Sequence, residues 1–145
     1  MLISRITVTS VAVPYEAPVG PYRGRGKGEG TTAGSGLIVK VETDGGLVGW
    51  GEGTREFETD PNRILVGREV GDVEGATDAM EAAGIGRGPV SGVEMALWDL
   101  LGKKADLPLY AIWGGKLREH VDFTACQGLK APSEAASTAR TSAVR

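Results

Sequence analysis

The sequence has very little of the two residue types that most often build metal and redox sites. Its 145 residues include one cysteine, Cys126, and one histidine, His120. A single cysteine excludes a disulfide within the chain and any zinc site made of several cysteines. A single histidine leaves few ways to build a histidine-rich metal site or a catalytic triad. We therefore interpret Cys126 as a small buried thiol and His120 as a surface residue.

Long apolar runs and an excess of positive charge are missing as well. No segment has the length of a signal-peptide core or approaches the roughly 20 apolar residues of a membrane span. The formal net charge is -3 and the pI is about 5.2, so no global field attracts nucleic acid or an anionic membrane surface. These absences predict a soluble, cytoplasmic protein that binds neither nucleic acid nor membrane.

Glycine is the residue in excess, with 23 copies, of which twelve lie between Gly20 and Gly53. The glycine-rich stretch matches neither the G-x-G-x-x-G nor the G-x-x-x-x-G-K phosphate motif. Three interpretations stay open for it: a mobile solvated loop, a lid, or a tract that binds RNA or phosphate. A lid would use its glycines for mobility, Tyr15 and Tyr22 for shape, and Arg23 and Arg25 for an anionic group of a substrate. Three cations in a net negative chain disfavour RNA.

Extended structure is predicted on both sides of this stretch. Residues 2–13 are rich in Ile, Val and Thr and predict a strand that Pro14 ends, because proline has no N–H for the ladder. In residues 36–41 the two faces differ in polarity from one position to the next, which predicts a second strand. A turn is predicted at 43–46, and residues 47–50 are predicted to form a third strand after it. Three strands joined in sequence order predict an antiparallel meander.

Helices are predicted to follow the strands. The first begins at an Asp72 cap and ends at Gly84, and the second begins at Ser91, whose spacing to Glu94 fits a capping box. A short third helix is predicted over 108–113. A new strand near 121–125 and a helix from Pro132 then predict the start of an α/β unit, so the fold class is α+β with the beginning of a second domain.

Two further sets of residues are given ordinary structural roles. The three tryptophans are interpreted as core anchors of the sheet and helices; they are Trp50, Trp98 and Trp113. Acidic residues occupy every second position at Glu56, Glu58 and Asp60, a spacing that could suit a cation site. The adjoining Pro61 favours a solvated turn instead. Composition and spacing alone identify no catalytic constellation.

One run of sequence resembles a known family. Residues 91–103, SGVEMALWDLLGK, are followed by LPLY at 107–110 and GGKLR at 114–118. Together with GWGEG at 49–53 and ILVGR at 64–68, this run is similar to the N-terminal capping domain of the enolase superfamily, in the mandelate racemase/muconate lactonizing enzyme branch. The similarity extends over about residues 1–130.

The resemblance implies a three-stranded antiparallel meander on a helical bundle over residues 1–117, and the first βα unit of a modified TIM-type barrel over 118–145. It implies a racemase, cycloisomerase or acid-sugar dehydratase that removes a proton α to a carboxylate, with Mg²⁺ stabilising the enediolate. It also implies partners: a barrel domain, a small carboxylate substrate and further copies in a homo-oligomer. By location, the specificity positions are Tyr22, Arg23, Arg25, Thr54 and Arg55.

The sequence departs from the family in two ways. The stretch between Gly53 and Ile64 is short, so we expect the first bundle helix to be reduced or missing. Residues 121–145 cover only one strand and one helix of a barrel, which needs on the order of 250 residues. We therefore expect that the chain carries no catalytic residue and no metal ligand and is inactive alone. The alternative is a non-enzymatic association module that pairs with itself or with a separate barrel chain.

Overall fold

The computed structural model describes residues 1–19, 31–54, 56–122 and 132–142. In these ranges none of the helices is long and apolar enough to cross a membrane. The elements follow in the order β1 (Ile3–Val19), β2 (Thr31–Thr43), β3 (Val48–Gly53), α1 (Asn62–Leu65), α2 (Val73–Ala82), α3 (Arg87–Ala105), α4 (Leu109–Ile112) and α5 (Pro132–Ser142).

The chain divides into two compact units. The larger contains Met1–Val11 and Ser35–Leu117, and the smaller contains Ala12–Gly34 and Arg118–Arg145. In the smaller unit the Tyr15 hydroxyl lies over Gly34, where a Cβ atom would be 2.6 Å from it. The hydrophobic core and the candidate site belong to the larger unit. The predicted domain boundary after residue 117 and the predicted barrel stay predictions.

The predicted meander is confirmed. The sheet has the strand order β1-β2-β3, and β2 pairs antiparallel with β3 in a register that sets Leu37 opposite Gly53 and Glu42 opposite Val48. The turn between them closes through the Gly46 N–H, which donates to the Thr43 carbonyl at 3.0 Å. Gly46 has φ of 81°, a conformation that costs glycine little.

Strand β1 differs from its predicted end. It continues through Pro14 to Val19, because β1 is an edge strand of the sheet. An edge strand has one row of N–H groups without a strand partner, so a proline there need not remove a ladder hydrogen bond. The prediction that Pro14 ends the strand is therefore wrong.

Strand β3 packs on helix α3 with almost no side chain between the two backbones. A Cβ atom on Gly49 would overlap the Ala96 carbonyl oxygen, and one on Gly51 would overlap the Gly92 carbonyl oxygen. Gly92 on the helix likewise has no room for a side chain, because a Cβ atom there would be 2.9 Å from the Gly53 nitrogen of the strand. Glycine on both elements therefore sets the distance between sheet and helix.

The core lies around this contact, between the inner face of the sheet and the helices. Its members are aliphatic side chains, and most are less than 2% exposed. The largest fully buried ones are Ile3, Leu65, Met80, Leu97, Leu100, Val39, Val41, Val70 and Val93.

The helix from Asp72 is confirmed, whereas the start of the next helix differs. The Asp72 carboxylate accepts from the Gly75 N–H at 3.2 Å as the N-cap of α2. Helix α3 begins at Arg87 after an extended Gly86, four residues before Ser91. The Ser91 hydroxyl donates to the Gly88 carbonyl inside the helix, so the predicted capping box does not form. Pro89 does not prevent the earlier start, since proline is tolerated in a first turn.

The remaining helical predictions have mixed outcomes. Helix α1 has only four residues, which confirms the expected reduction of the first bundle helix. Helices α4 and α5 lie where they were predicted. The predicted strand near 121–125 falls mostly outside the described residues, as does Cys126.

Two of the three tryptophans are not core anchors. Trp50 is 49% exposed and Trp113 is 60% exposed, while Trp98 is partly buried against the core. Trp50 lies on β3 next to two glycines whose missing side chains face α3. Strand alternation therefore places its side chain on the opposite face of β3 from those glycines.

The glycine contact gives a stability prediction. Gly51→Ala places a methyl group against the Gly92 carbonyl and 2.9 Å from the Ala96 nitrogen, so we expect the free energy of unfolding to fall by about 3 kcal/mol. Urea denaturation measures this change. Gly71→Ala is the control, because nothing lies within 4 Å of a Cβ there, and it should change stability by less than about 0.5 kcal/mol. Equal stability of the two variants would contradict the proposed contact.

Candidate functional site

A cleft of about 220 Å³ lies at the end of the sheet where β3 finishes. We call it the rim cleft. It is lined by Ser10, Val11, Ser35, Gly36, Leu37, Thr54 and Glu56, so that β1, β2 and the segment after β3 each contribute to it.

The strand register positions the polar groups of the rim cleft. Leu37 is paired with Gly53, so Thr54 is the first residue beyond the paired part of β3. Glu52 lies on the outward-facing side of β3, opposite Ile38. Its carboxylate reaches over Gly36, where a Cβ atom would be 3.2 Å from Oε1. Glycine at position 36 therefore leaves space for the Glu52 side chain beside the cleft.

The chemistry of the cleft is that of hydroxyl and carboxylate groups. Ser10, Ser35 and Thr54 supply hydroxyls, and Glu56 and the neighbouring Glu52 supply carboxylates. Hydroxyls donate and accept hydrogen bonds, and carboxylates accept them. No lysine or arginine is among the lining residues that the structure describes. The lining residues that the structure describes are suited to the hydroxyl groups of a ligand.

The structure describes one of the five residues predicted for the site. Thr54 lies in the rim cleft, whereas Tyr22, Arg23, Arg25 and Arg55 lie outside the described residues. Their predicted role in binding substrate stays a prediction.

Sequence reasoning missed three polar residues that line this site, Ser10, Ser35 and Glu56, and the neighbouring Glu52. Ser10, Ser35 and Glu52 are far apart in sequence and meet only through strand register, which a single sequence does not fix. Glu56 was predicted to lie in a solvated turn; it is exposed outside the helices and strands, as predicted, and it also lines the cleft. The signal that was available is the position of Ser10 and Ser35 close to the glycine-rich stretch, on the strands that lead into it and out of it.

One side chain ties the segment after β3 to the opposite edge of the sheet. The Asn62 amide accepts from the Ile6 N–H at 2.7 Å and donates to the Ile6 carbonyl at 2.9 Å. It also donates to the Asp60 carboxylate at 2.8 Å, and so does the Asn62 backbone N–H at 3.0 Å. These bonds hold the segment that carries Glu56 beside β1.

The same contacts perturb Asp60. The hydrogen bond from the Asn62 side chain, followed by the one from its backbone N–H, lowers the pKa of the Asp60 carboxyl below its ordinary 3.8. Both bonds favour the ionised form, and the nearby Arg63 adds a smaller effect of the same sign.

The described residues do not fit a magnesium site. No three Asp, Glu, His or Cys side chains come together among them in a way that could hold a metal ion. His120 is exposed.

Comparison with known proteins identifies relatives. Residues 28–114 match the family model for the N-terminal domain of mandelate racemase / muconate lactonizing enzyme. D-galactonate dehydratase from Pectobacterium atrosepticum is 30% identical over 112 residues, which are 68% of this chain and 29% of that protein. A protein assigned as an L-rhamnonate dehydratase from Caldivirga maquilingensis is 37% identical over 102 residues, 61% of this chain and 26% of that protein.

The fold also matches solved structures. The dipeptide epimerase from Methylococcus capsulatus, complexed with Mg and the dipeptide L-Arg-D-Lys, superposes with a TM-score of 0.82 at 21% identity. The match covers 99% of this chain and 43% of that chain, and at this identity it shows the shared fold. The chain spans less than a third of the length of the two dehydratases that it matches in sequence.

The Asn62 contacts predict a loss of stability that depends on pH. Asn62→Ala leaves the Ile6 N–H and carbonyl without their partner, so we expect the free energy of unfolding near pH 7 to fall by about 1–3 kcal/mol. Because the pKa of Asp60 is lowered in the folded state, its contribution is present above the ordinary pKa and is lost as the pH falls through the folded value. The difference between wild type and variant should therefore shrink in acid.

Urea denaturation of both proteins, at about pH 7 and about pH 3, measures this effect. Asp78→Ala, which removes an exposed carboxylate on α2, is the control and should show no such trend. A difference between wild type and Asn62→Ala that stays constant with pH would contradict the link between Asn62 and Asp60.

Proposed function

The chain belongs to the family of mandelate racemase/muconate lactonizing enzyme N-terminal domains, in the enolase superfamily, and we propose that it acts as the substrate-capping and specificity domain of a sugar-acid dehydratase. The observation that carries the proposal is the rim cleft. Its three hydroxyls and the Glu56 carboxylate lie where β3 ends, and the Glu52 carboxylate lies beside them over Gly36. This is the position that the family resemblance gives to substrate specificity.

The chemistry of the cleft favours a substrate with several hydroxyl groups. Hydroxyls of such a ligand can donate to Glu52 and Glu56 and exchange hydrogen bonds with Ser10, Ser35 and Thr54. The two carboxylates repel an anionic group, so they orient the carboxylate end of the substrate away from the cleft. Sugar acids combine these two ends, and two relatives carry the names of sugar-acid dehydratases.

The proposed division of labour follows from what the described residues contain. They supply polar groups for binding and orienting a substrate, and no set of ligands for a metal. Mg²⁺ in the complete enzyme would stabilise the negative charge that develops next to the substrate carboxylate. We propose that its ligands and the base belong to a barrel domain. Arg23, Arg25 and Arg55 stay candidates for contacting the anionic end.

The first prediction concerns activity. The purified 145-residue chain with Mg²⁺ should not dehydrate D-galactonate or L-rhamnonate, because the residues described here include no metal site. The assay measures formation of the keto-deoxy product, with the Pectobacterium relative as the positive control. Turnover that rises in proportion to the concentration of the chain would contradict the proposal.

The second prediction concerns specificity. A chimera places residues 1–117 before the barrel of the Pectobacterium relative, which restores the complete architecture. Thr54→Val in this chimera removes one hydroxyl from the rim cleft, so we expect KM for its sugar acid to rise about threefold to tenfold. The value of kcat should change less, since the lost hydrogen bond is made in the ground state as well as in the transition state.

Thr7→Val is the matched control, because Thr7 is an exposed threonine of β1 that is not among the residues lining the rim cleft. Steady-state kinetics of the three proteins with D-galactonate decide the outcome. Equal KM values for the Thr54 and Thr7 variants of an active chimera would exclude Thr54 from substrate binding.

A further inference from the structure

A further hollow adjoins the rim cleft and has a different wall. It encloses about 330 Å³, and we call it the side pocket. Three residues, Ser10, Leu37 and Glu56, line both hollows. The side pocket is completed by Ile6, Val8, Phe57, Asp60, Pro61 and Asn62. Because the two hollows share part of their wall, one ligand can occupy the rim cleft and extend into the side pocket.

The residues that line only the side pocket form a largely apolar wall. Ile6 belongs to the hydrophobic core, and Val8 and Phe57 are partly buried against that core. Pro61 is buried and directly precedes helix α1. Packing against the core fixes these side chains before a ligand arrives, so little conformational entropy is lost when a ligand contacts them.

Asn62 adds little polarity to this wall, because its amide is engaged within the chain. Its side-chain nitrogen donates to the Ile6 carbonyl at 2.9 Å and to the Asp60 carboxylate at 2.8 Å. Its side-chain oxygen accepts from the Ile6 N–H at 2.7 Å. Both N–H groups of the amide are therefore occupied, and a ligand hydroxyl finds no free donor on Asn62.

Two carboxylates also line the side pocket. Asp60 and Glu56 are exposed, and Oδ1 of Asp60 accepts two hydrogen bonds from Asn62. The negative charge of the two carboxylates disfavours the anionic end of a ligand. A ligand suited to both hollows therefore has hydroxyl groups for the rim cleft and an uncharged, apolar end for the side pocket.

We propose that the side pocket binds the methyl end of a 6-deoxy sugar acid, whose hydroxylated part lies in the rim cleft. This inference rests on the proposed function and deepens it by naming the substrate class. A methyl group that contacts Val8 and Phe57 leaves water, which is favourable. A hydroxyl on the same carbon would give up water for an apolar wall. Because the side pocket is larger than a methyl group, we expect a moderate preference and no exclusion.

Two ligands that differ by one oxygen atom test the proposal. L-Rhamnonate and L-mannonate are a matched pair, because they differ only in the hydroxyl on C6. Saturation-transfer NMR, with each ligand titrated into the full 145-residue chain, measures both Kd values and the ligand protons that contact the protein. We expect L-rhamnonate to bind about threefold to tenfold more tightly, with strong saturation transfer to its methyl protons.

Two variants assign this preference to the side pocket. Phe57→Ser removes most of the apolar wall, and Val8→Thr makes the wall polar with almost no change in side-chain volume. In each variant the two Kd values should agree within about twofold. Val66→Thr is the matched control for Val8→Thr, since Val66 is 48% exposed and lines neither hollow; it should keep the wild-type preference. Circular dichroism shows whether each variant is folded.

The possible failures are distinguishable. Equal affinity of the wild-type chain for the two ligands would overturn the proposal and leave the proposed function standing. A preference that persists in the folded Phe57 and Val8 variants would likewise overturn it, because the side pocket would then not be its source. Binding of neither ligand would contradict the proposal together with the role of the rim cleft on which it rests.

Discussion

The close approach of β3 to α3 is the constraint on which the larger unit depends. Gly49 and Gly51 on the strand face Ala96 and Gly92 on the helix, and a single methyl group on either strand glycine would overlap a helix carbonyl. This contact fixes where α3 lies under the sheet. It also fixes the direction in which β3 ends, so that Thr54 follows the pair of Gly53 with Leu37, near the middle of β2.

Because that contact leaves no side chains between strand and helix, both elements direct their large side chains elsewhere. Leu97 and Leu100 enter the core, whereas Trp50 and Met95 remain at the surface. The larger unit consequently has two surfaces of opposite chemistry: a polar one at the end of β3 and an apolar one along α3 and α4. The first is suited to a small hydroxylated ligand.

Local patterns predicted the elements better than the site. The alternation of apolar and polar residues, together with the turn residues, is sufficient to predict the meander. The Asp72 cap is sufficient to predict the start of α2. Each of these signals lies within a few residues of sequence. The predicted end of β1 at Pro14 and the predicted start of α3 at Ser91 were wrong. Both depend on tertiary context: β1 is an edge strand, and α3 already begins after Gly86. The family resemblance led to Thr54, but the other polar groups of the rim cleft meet only through strand register. The exposure of Trp50 likewise follows from glycines that face the helix.

Side chains occupy backbone groups on each outer edge of the meander. On β1 the Asn62 amide bonds the N–H and carbonyl of Ile6 in the way a neighbouring peptide group would. On β3 the Asp99 carboxylate accepts from the Trp50 N–H, and the Lys103 ammonium donates to the Val48 carbonyl. At these positions an additional strand from another molecule finds no free backbone partner, which protects the sheet against open-ended, amyloid-like growth.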